Sequence, residues 1–142
     1  MAALAEVVEA LGGRKTMDPV PRTAVQLHEA IGHGLRSSVL REVVARNVLR
    51  PADLKLLFSE RTLSRRAKGK RLTAEESDRL ARMTRIVLRA RETFGDDARA
   101  DKWLRRPNRA LGCSVPLEVT RHSSGADLVD ALLDRIAYGD HT

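Results

Sequence analysis

Two histidines, His28 and His33, lie in the segment HEAIGH, which differs from the zinc-binding pattern H-E-x-x-H by one extra residue. Residues five apart lie about 140° apart around a helix, so the two imidazoles cannot bind one ion from a single face. The other histidines, His122 and His141, have no cluster of possible ligands near them in the sequence. The sequence therefore predicts no metal site and no cofactor.

Cys113 is the only cysteine, and neither a histidine partner nor a strand-turn-helix elbow accompanies it to make a nucleophile. Three carboxylates, Asp127, Asp130 and Asp134, follow the spacing i, i+3 and i+7, which places them on one helix face rather than in a buried pair. That face is either solvated or contacts a partner with a basic rim. Because an enzyme needs convergent polar groups in a cleft, we predict a protein with no catalytic residues.

The stretch SERTLSRRAKGKR, which begins at Ser59, carries six basic residues and one acid. On a helix, Leu63 and Ala67 share one narrow face and lie opposite Arg61 and Arg65, so the stretch is amphipathic with a basic outer face. A short helix, PADLKLL, and a tight turn precede it, as in a helix-turn-helix whose second helix enters the major groove. The alternative is that these arginines only solvate a helix surface.

Side-chain chemistry assigns parts of this stretch to different contacts with duplex DNA. Arginine can bind a guanine edge through two hydrogen bonds, short hydroxyl side chains can bond phosphates, and trailing cations can lie beside the backbone. The residues predicted in this way to bind DNA are Ser59, Arg61, Thr62, Ser64, Arg65, Lys68, Lys70 and Arg71. A second basic stripe, Arg82, Arg85 and Arg89, follows on a later helix and is either a further DNA contact or a solvated surface.

Charge is distributed unevenly along the 142 residues, whose formal net charge is +7. Residues 1–91 hold 19 lysines and arginines against 10 acids, whereas residues 92–142 hold 7 against 9. This division predicts a polyanion-binding part followed by a part with another task. The four aromatic residues are too few for single-strand binding by base stacking, which leaves duplex DNA or an acidic protein surface.

Helix-forming residues dominate the composition and predict an all-α protein. Thr73 and Glu76 have the spacing of a capping box, which opens a long helix that ends at Gly95. Asp96 and Ser124 are the expected N-caps of two later helices.

The chain divides into four parts. Residues 1–21 are an N-terminal extension that a linker rich in glycine and proline would leave mobile, and residues 22–72 are a helix-turn-helix domain. Residues 73–95 are a long connecting helix, and residues 96–142 are a small helical domain. The N-terminal run lacks the basic start of a signal peptide, and no apolar stretch approaches about 20 residues. With the lone cysteine, these features predict a cytoplasmic protein that does not bind a membrane.

Several motifs occur in an order that resembles the Xre/MbcA/ParS family of antitoxins, partners of RES-domain toxins, over roughly residues 35–139. The motifs are S-x-R-T-L-x-R-R, R-L-T-x-x-E-S-D-R-L, W-L-x-x-P-N-x-x-L-G and a closing I-x-Y-G. The resemblance implies that an N-terminal, Xre-like helix-turn-helix bundle binds the operator of its own gene pair. It also implies that the C-terminal domain, residues 96–142, binds the toxin and obstructs its active site. RES toxins act on NAD, either by breaking it down or by transferring its ADP-ribosyl group.

The resemblance implies roles for individual residues as well. Arg66 joins the DNA-reading positions, and Trp103 belongs to the core of the C-terminal domain. Cys113 stands where a second glycine is usual, and Phe58 replaces a common glycine in the helix-turn-helix turn. The implied toxin-binding residues are Asn108, Leu132, Arg135, Ile136, Tyr138 and Gly139.

As an antitoxin of this family, the protein would form a homodimer within a larger toxin-antitoxin complex. It would repress its own promoter and associate with the bacterial nucleoid when bound to DNA. Two other interpretations stay open. One is a stand-alone helix-turn-helix transcriptional regulator whose C-terminal part only dimerises, and the other is a small adaptor whose basic face binds an acidic protein.

Overall fold

The computed structural model describes residues 3–139. Within that range the chain forms nine α-helices and two short 3-10 helices. Helices α1 to α9 span Leu4–Ala10, Ala24–His33, Val39–Ala45, Pro51–Leu57, Glu60–Lys68, Ala74–Phe94, Asp97–Leu104, Pro116–Val119 and Ser123–Ala137. The described residues contain two isolated β-bridges and no strand, so the predicted all-α fold is confirmed.

Helix α6 is the longest helix and lies at the centre of the packing. Thr73 Oγ1 accepts from Glu76 N at 3.1 Å and Glu76 Oε1 accepts from Thr73 N at 2.8 Å, which confirms the predicted capping box. Gly95 ends the helix in the left-handed region, at φ +67°, as predicted. The helix packs against α1, α2, α4, α7 and α9. Its side chains in the shared core are Leu80, Ala81, Met83, Ile86, Val87 and Ala90.

The N-terminal segment, for which the linker suggested mobility, packs on this core. Val7, Val8 and Leu11 are buried at or beside α1, because the apolar side of this short helix faces α6. The glycine-rich turn that follows is closed by the Thr16 hydroxyl, which donates to the Leu11 carbonyl at 2.6 Å. This part of the chain therefore contributes to the same core as the helices that follow.

Helices α4 and α5 are joined by the tight turn that a helix-turn-helix requires. Pro51 begins α4. The Ser59 hydroxyl caps the start of α5 by accepting a hydrogen bond from Thr62 N at 3.1 Å. Phe58 lies between the helices in an extended conformation, at φ −135° and ψ 142°, and is buried. The turn therefore needs no left-handed residue, which explains how phenylalanine fits where the resemblance implies a glycine.

The inner face of α5 is covered less than its sequence pattern predicts. Leu63 is half-buried against the core, but Ala67 is exposed, and no residue of α5 is fully buried. The reason is that Ala67 lies beside an open groove rather than against another helix. The sequence pattern located the helix correctly and was wrong about the burial of its last turn.

Helix α7 follows α6 after a short turn and packs along it. Asp96 caps α7 as predicted, accepting from Arg99 N at 3.2 Å. Trp103 on α7 contacts Phe94 at the end of α6, with ring centroids 5.6 Å apart. In the loop beyond α7, Cys113 adopts φ +67°, the left-handed conformation that favours glycine. The cysteine therefore occupies a position whose backbone suits the glycine that the resemblance implies.

Helix α9 closes the described part of the chain. The predicted N-cap at Ser124 is wrong, because the helix begins at Ser123 and is preceded by His122, whose side chain makes no capping hydrogen bond. Gly125 allows a close approach to α8, since a Cβ atom there would lie 1.8 Å from the Val119 carbonyl oxygen. The first turn of α9 is thus set by close packing rather than by a side-chain cap.

Candidate functional site

The outer face of α5 carries cations without partners. Arg61, Arg65 and Lys68 are exposed, and so is Ser64 between them. None of the three cations forms an ion pair with any residue from 3 to 139. Their charges are therefore available to an anion outside the folded chain.

Other predicted DNA-binding residues lie at the two ends of α5. The Ser59 hydroxyl caps the helix and also donates to Thr62 Oγ1 at 3.0 Å. At the other end Lys70 is exposed, and Arg71 Nη1 donates to the Gly34 carbonyl at 2.8 Å. The two hydroxyls thus stabilise the start of the helix, while Lys70 and Arg71 extend the basic surface beyond its end.

Arg66 lies on another side of α5 and binds the start of α6. Its Nε donates to Glu76 Oε1 at 2.8 Å, the oxygen that also accepts from Thr73 N. Burial raises the pKa of the Glu76 carboxyl, but the Thr73 backbone hydrogen bond and the Arg66 guanidinium outweigh it and hold that pKa below its ordinary value. Arg66 therefore links α5 to α6 through an ion pair, and its guanidinium is less available to DNA than that of Arg61 or Arg65.

The basic stripe of α6 and the acidic face of α9 bind each other. Arg85 donates to the two Asp130 carboxylate oxygens at 3.1 and 3.0 Å. Arg89, which is only 8% exposed, donates to the Asp130 carboxylate at 2.7 Å and to the Asp130 carbonyl at 3.1 Å, and it also pairs with Asp134. We call these four residues the α6–α9 clasp. Arg85, Arg89 and Asp130 are thus paired within the chain, whereas Asp134 is paired but exposed and Asp127 of the same face is exposed.

Burial and pairing shift the pKa values of Asp130 and Arg89 in opposite directions. Burial raises the pKa of the Asp130 carboxyl, but hydrogen bonds from Arg85 and Arg89 outweigh it and hold that pKa below its ordinary value. Burial lowers the pKa of the Arg89 guanidinium, but its bonds to Asp130 and Asp134 raise that pKa above its ordinary value. The charged forms of Asp130 and Arg89 are therefore favoured, and their pairing stabilises the contact between the two helices.

A second set of ion pairs joins the helix-turn-helix to the C-terminal part. Asp53 of α4 is only 3% exposed and accepts from Arg105 Nη2 at 2.6 Å and from Nε at 3.2 Å. Arg91 of α6 binds both carboxylate oxygens of Asp101 on α7 at 3.0 and 3.1 Å, and donates to the Asn47 carbonyl at 2.6 Å. These partners are 10 to 52 residues apart in the sequence, so no local pattern identifies them.

The outer face of α9 presents apolar side chains to solvent. Leu128 is 58% exposed and Tyr138 is 87% exposed. Of the implied toxin-binding residues on this helix, Arg135 is exposed and Ile136 is half-buried, whereas Leu132 is 9% exposed and belongs to the buried side. Leu128 is not among the residues that the resemblance implies, although its spacing of seven residues from Arg135 places both side chains on one helix face.

Two implied toxin-binding residues lie outside α9. Asn108 is in the loop after α7, where its Oδ1 accepts from Ala110 N at 2.9 Å and its N donates to the Ser114 carbonyl at 2.9 Å. Gly139 is exposed beyond the end of α9, at φ +76°, next to Tyr138. Asn108 therefore shapes a turn, while Gly139 and Tyr138 form the tip of the C-terminal helix.

Residues 3–139 contain no group of three or more histidine, cysteine or acidic side chains arranged to hold a metal ion. No helix within the described range is long and apolar enough to cross a bilayer.

Comparison with known proteins identifies two domains along the chain. Residues 26–85 match the family model of the antitoxin Xre-like helix-turn-helix domain. Residues 89–139 match the family model of the antitoxin Xre/MbcA/ParS C-terminal toxin-binding domain. The first match includes α5 and its unpaired cations, and the second includes α9 and its exposed apolar side chains.

Three proteins named Antitoxin Xre are similar to this chain. The one from Pseudomonas putida is 31% identical over 115 residues, which cover 80% of this chain and 72% of that protein. The one from Photorhabdus laumondii is 39% identical over 95 residues, 66% of this chain and 62% of that protein. The one from Yersinia enterocolitica is 36% identical over 76 residues, 53% of this chain and 51% of that protein.

Proposed function

We propose, on the premise that this chain belongs to the Xre antitoxin family, that it neutralises a toxin with α9 and represses its own promoter with α5. It adds no catalytic step, because it acts by covering the active site of the toxin through steric and electrostatic contacts. The two tasks lie on different surfaces, and α6 connects them.

A contrast between paired and unpaired arginines carries the DNA-binding half of this proposal. On α6, Arg82, Arg85 and Arg89 each donate to an acceptor within the chain. On α5, Arg61 and Arg65 have no anionic partner among the described residues. A cation that is unpaired in the free protein can neutralise a phosphate or bind a guanine edge without first breaking an ion pair.

The exposed apolar residues of α9 support the toxin-binding half. Leu128 and Tyr138 are large side chains left in water, and aromatic and apolar groups of this kind are enriched in the buried centres of protein interfaces. The clasp holds the other side of α9 against α6. A toxin would therefore meet an ordered helix, which loses little conformational entropy on binding.

The motifs that resemble this family also point to the class of toxin. We assign the partner to the RES-domain toxins, which act on NAD. The chain would act as a homodimer within a larger toxin-antitoxin complex in the bacterial cytoplasm, associated with the nucleoid when bound to operator DNA. In this arrangement residues 22–72 bind DNA, residues 73–95 connect the parts, and residues 96–142 bind the toxin.

Retention of duplex operator DNA tests the role of α5. Replacing Arg61 and Arg65 together by alanine should weaken binding to the upstream region of its own gene and reduce the slope of log affinity against log salt by about two units. The matched control replaces Arg106 and Arg109 by alanine, because both are exposed and neither forms an ion pair with a described residue. Equal losses in the two double variants would contradict a specific role for α5.

Copurification with the product of the neighbouring gene tests the toxin-binding half. A tagged chain should retain that product, and the mass of the complex should give the stoichiometry. A stand-alone transcriptional regulator would bind the operator and retain no neighbouring product, so that result would support the alternative interpretation.

A further inference from the structure

An open groove of about 940 Å³ lies between α3, α4 and α5. All three helices contribute apolar side chains to it, and Ala67, the exposed inner residue of α5, lines its edge. The apolar residues of the floor and edge are Leu40, Val44, Ala45, Pro51, Leu54, Leu63 and Ala67. Leu40 and Leu54 are buried at the floor, Val44 and Leu63 are half-buried, and Ala67 is exposed at the edge, so the groove is apolar and open on one side.

The rim of this groove is strongly basic. Among the described residues that line it there are six cations and no acid. The cations are Arg36, Arg41, Lys55, Arg66, Lys70 and Arg71. Only Arg66 has an ion pair among the described residues, with Glu76. An apolar floor inside a rim with five unpaired cations selects a ligand that is itself apolar on one side and acidic on the other.

We propose that this groove is a docking site for an acidic amphipathic helix of a partner protein. A phosphate backbone satisfies the rim but leaves the floor without an apolar counterpart, whereas leucine-type side chains of a helix fill the floor while its carboxylates reach the rim. The nine residues of α5 extend about 13 Å, which matches a partner helix of about two to three turns. Its anchors would then follow the spacing i, i+3 or i+4, and i+7.

Docking at this site would exclude operator DNA. Lys70 and Arg71 line the groove and also belong to the surface that we assign to DNA, so a helix seated here competes for the same cations. This consequence rests on the proposed function, whereas the docking itself does not. Peptide binding is therefore measured on the full chain without DNA, so that failure of one proposal does not imply failure of the other.

The probe is a fluorescent peptide of about 14 residues, with leucines at i, i+3, i+4 and i+7 and glutamates and alanines elsewhere. A scrambled peptide of the same composition, whose leucines do not share a face, is its control. Fluorescence anisotropy should show saturable binding of the amphipathic peptide, with an affinity at least about tenfold higher than that of the scrambled peptide. Equal affinities would mean unspecific attraction to a basic protein and would overturn the proposal.

Two substitutions locate the binding site. Ala67→Glu places a negative charge on an exposed residue at the edge of the groove. It should lower the affinity for the amphipathic peptide at least about tenfold. Ala52→Glu is the matched control, because Ala52 is exposed on α4 but does not line the groove, and it should leave the affinity within about twofold. Circular dichroism confirms that both variants keep the helical content of the unmodified chain.

Other occupants give different results. If Ala67→Glu abolished dimerisation of the chain without changing peptide affinity, the groove would be an interface between copies and the proposal would fail. If the peptide bound with the same affinity to both variants, or did not bind at all, an acidic helix would not be the ligand. If the peptide did not bind and Ala67→Glu weakened the binding of duplex DNA instead, the groove would belong to the nucleic acid and the proposal would fail.

Discussion

Arg89 and Asp130 meet between α6 and α9, with one guanidinium nitrogen 2.7 Å from a carboxylate oxygen and 3.1 Å from the backbone carbonyl oxygen of the same aspartate. Because Asp130 is held through its side chain and its backbone, α9 cannot rotate or slide along α6 without losing both contacts. The start of α6 is joined to α5 by the pair between Arg66 and Glu76. One helix therefore positions both candidate surfaces.

Removal of the buried cation should destabilise the fold. Arg89→Ala leaves Asp134 without this partner and Asp130 with Arg85 alone, so we expect the free energy of unfolding to fall by about 2 kcal/mol in urea denaturation. Arg79→Ala on the same helix removes a long surface pair with Glu75 at 3.8 Å and should cost less than about 0.5 kcal/mol. Equal losses in the two variants would show that the clasp does not stabilise the contact.

Acid should lower the free energy of unfolding by protonating the paired carboxyl groups. The pKa values of Glu76 and Asp130 are held below their ordinary values, so the folded state binds fewer protons than the unfolded state. The stabilisation they provide is thus complete above the ordinary carboxyl pKa of about 4 and is lost as the pH falls through the lower folded values. Urea midpoints measured from about pH 7 to about pH 3 should fall accordingly.

Substitution of Asp130 identifies its share of this acid sensitivity. Asp130→Asn should lower stability at neutral pH and flatten the acid-induced loss, whereas Asp127→Asn, on the exposed side of the same helix, should follow the unmodified chain. An Asp130→Asn variant with the same acid-induced loss as the unmodified chain would contradict a stabilising role for the paired carboxylate.

Cys113 offers a stabilising substitution. It is exposed and adopts φ +67°, a conformation that costs a residue with a side chain about 1 kcal/mol relative to glycine. Cys113→Gly should therefore raise the free energy of unfolding by about 0.5 to 1 kcal/mol. Gly112→Ala at φ +62° should lower it by a similar amount, and a loss of stability in Cys113→Gly would show that the thiol makes a contact that outweighs the strain.

Two leucines of α9 should respond differently to truncation. Leu132→Ala removes a buried side chain and should lower the free energy of unfolding by about 2 to 3 kcal/mol. Leu128→Ala removes an exposed one and should change it by less than about 0.5 kcal/mol. Thermal unfolding of the two variants measures this difference, and a reversed order would mean that the faces of α9 are assigned incorrectly.

Local features of the fold could be predicted from the sequence because their determinants lie within a few residues. The capping box of Thr73 and Glu76, the cap at Asp96 and the stop at Gly95 are all confirmed. The prediction at Ser124 failed because the start of α9 is set by its close contact with α8 around Gly125, a tertiary constraint that no capping pattern records.

The candidate surfaces were only partly predictable, because whether a residue is exposed or buried depends on contacts with residues that are distant in the sequence. Periodicity placed Arg85, Arg89 and Asp130 on helix faces but could not pair them, since the two helices meet 41 to 45 residues apart. In the same way, Leu128 and Leu132 have equal hydropathy, and only the packing of α9 against α6 and α8 decides which of them stays in water.

Growth of cells that express the neighbouring toxin tests the central claim most directly. The account predicts that Leu128→Asp combined with Tyr138→Ala abolishes rescue by this chain while leaving operator retention unchanged, because both residues lie on the exposed face or tip of α9. Val25→Asp is the matched control, an exposed apolar residue on α2, and should rescue fully. Full rescue by the folded α9 double variant would contradict the account.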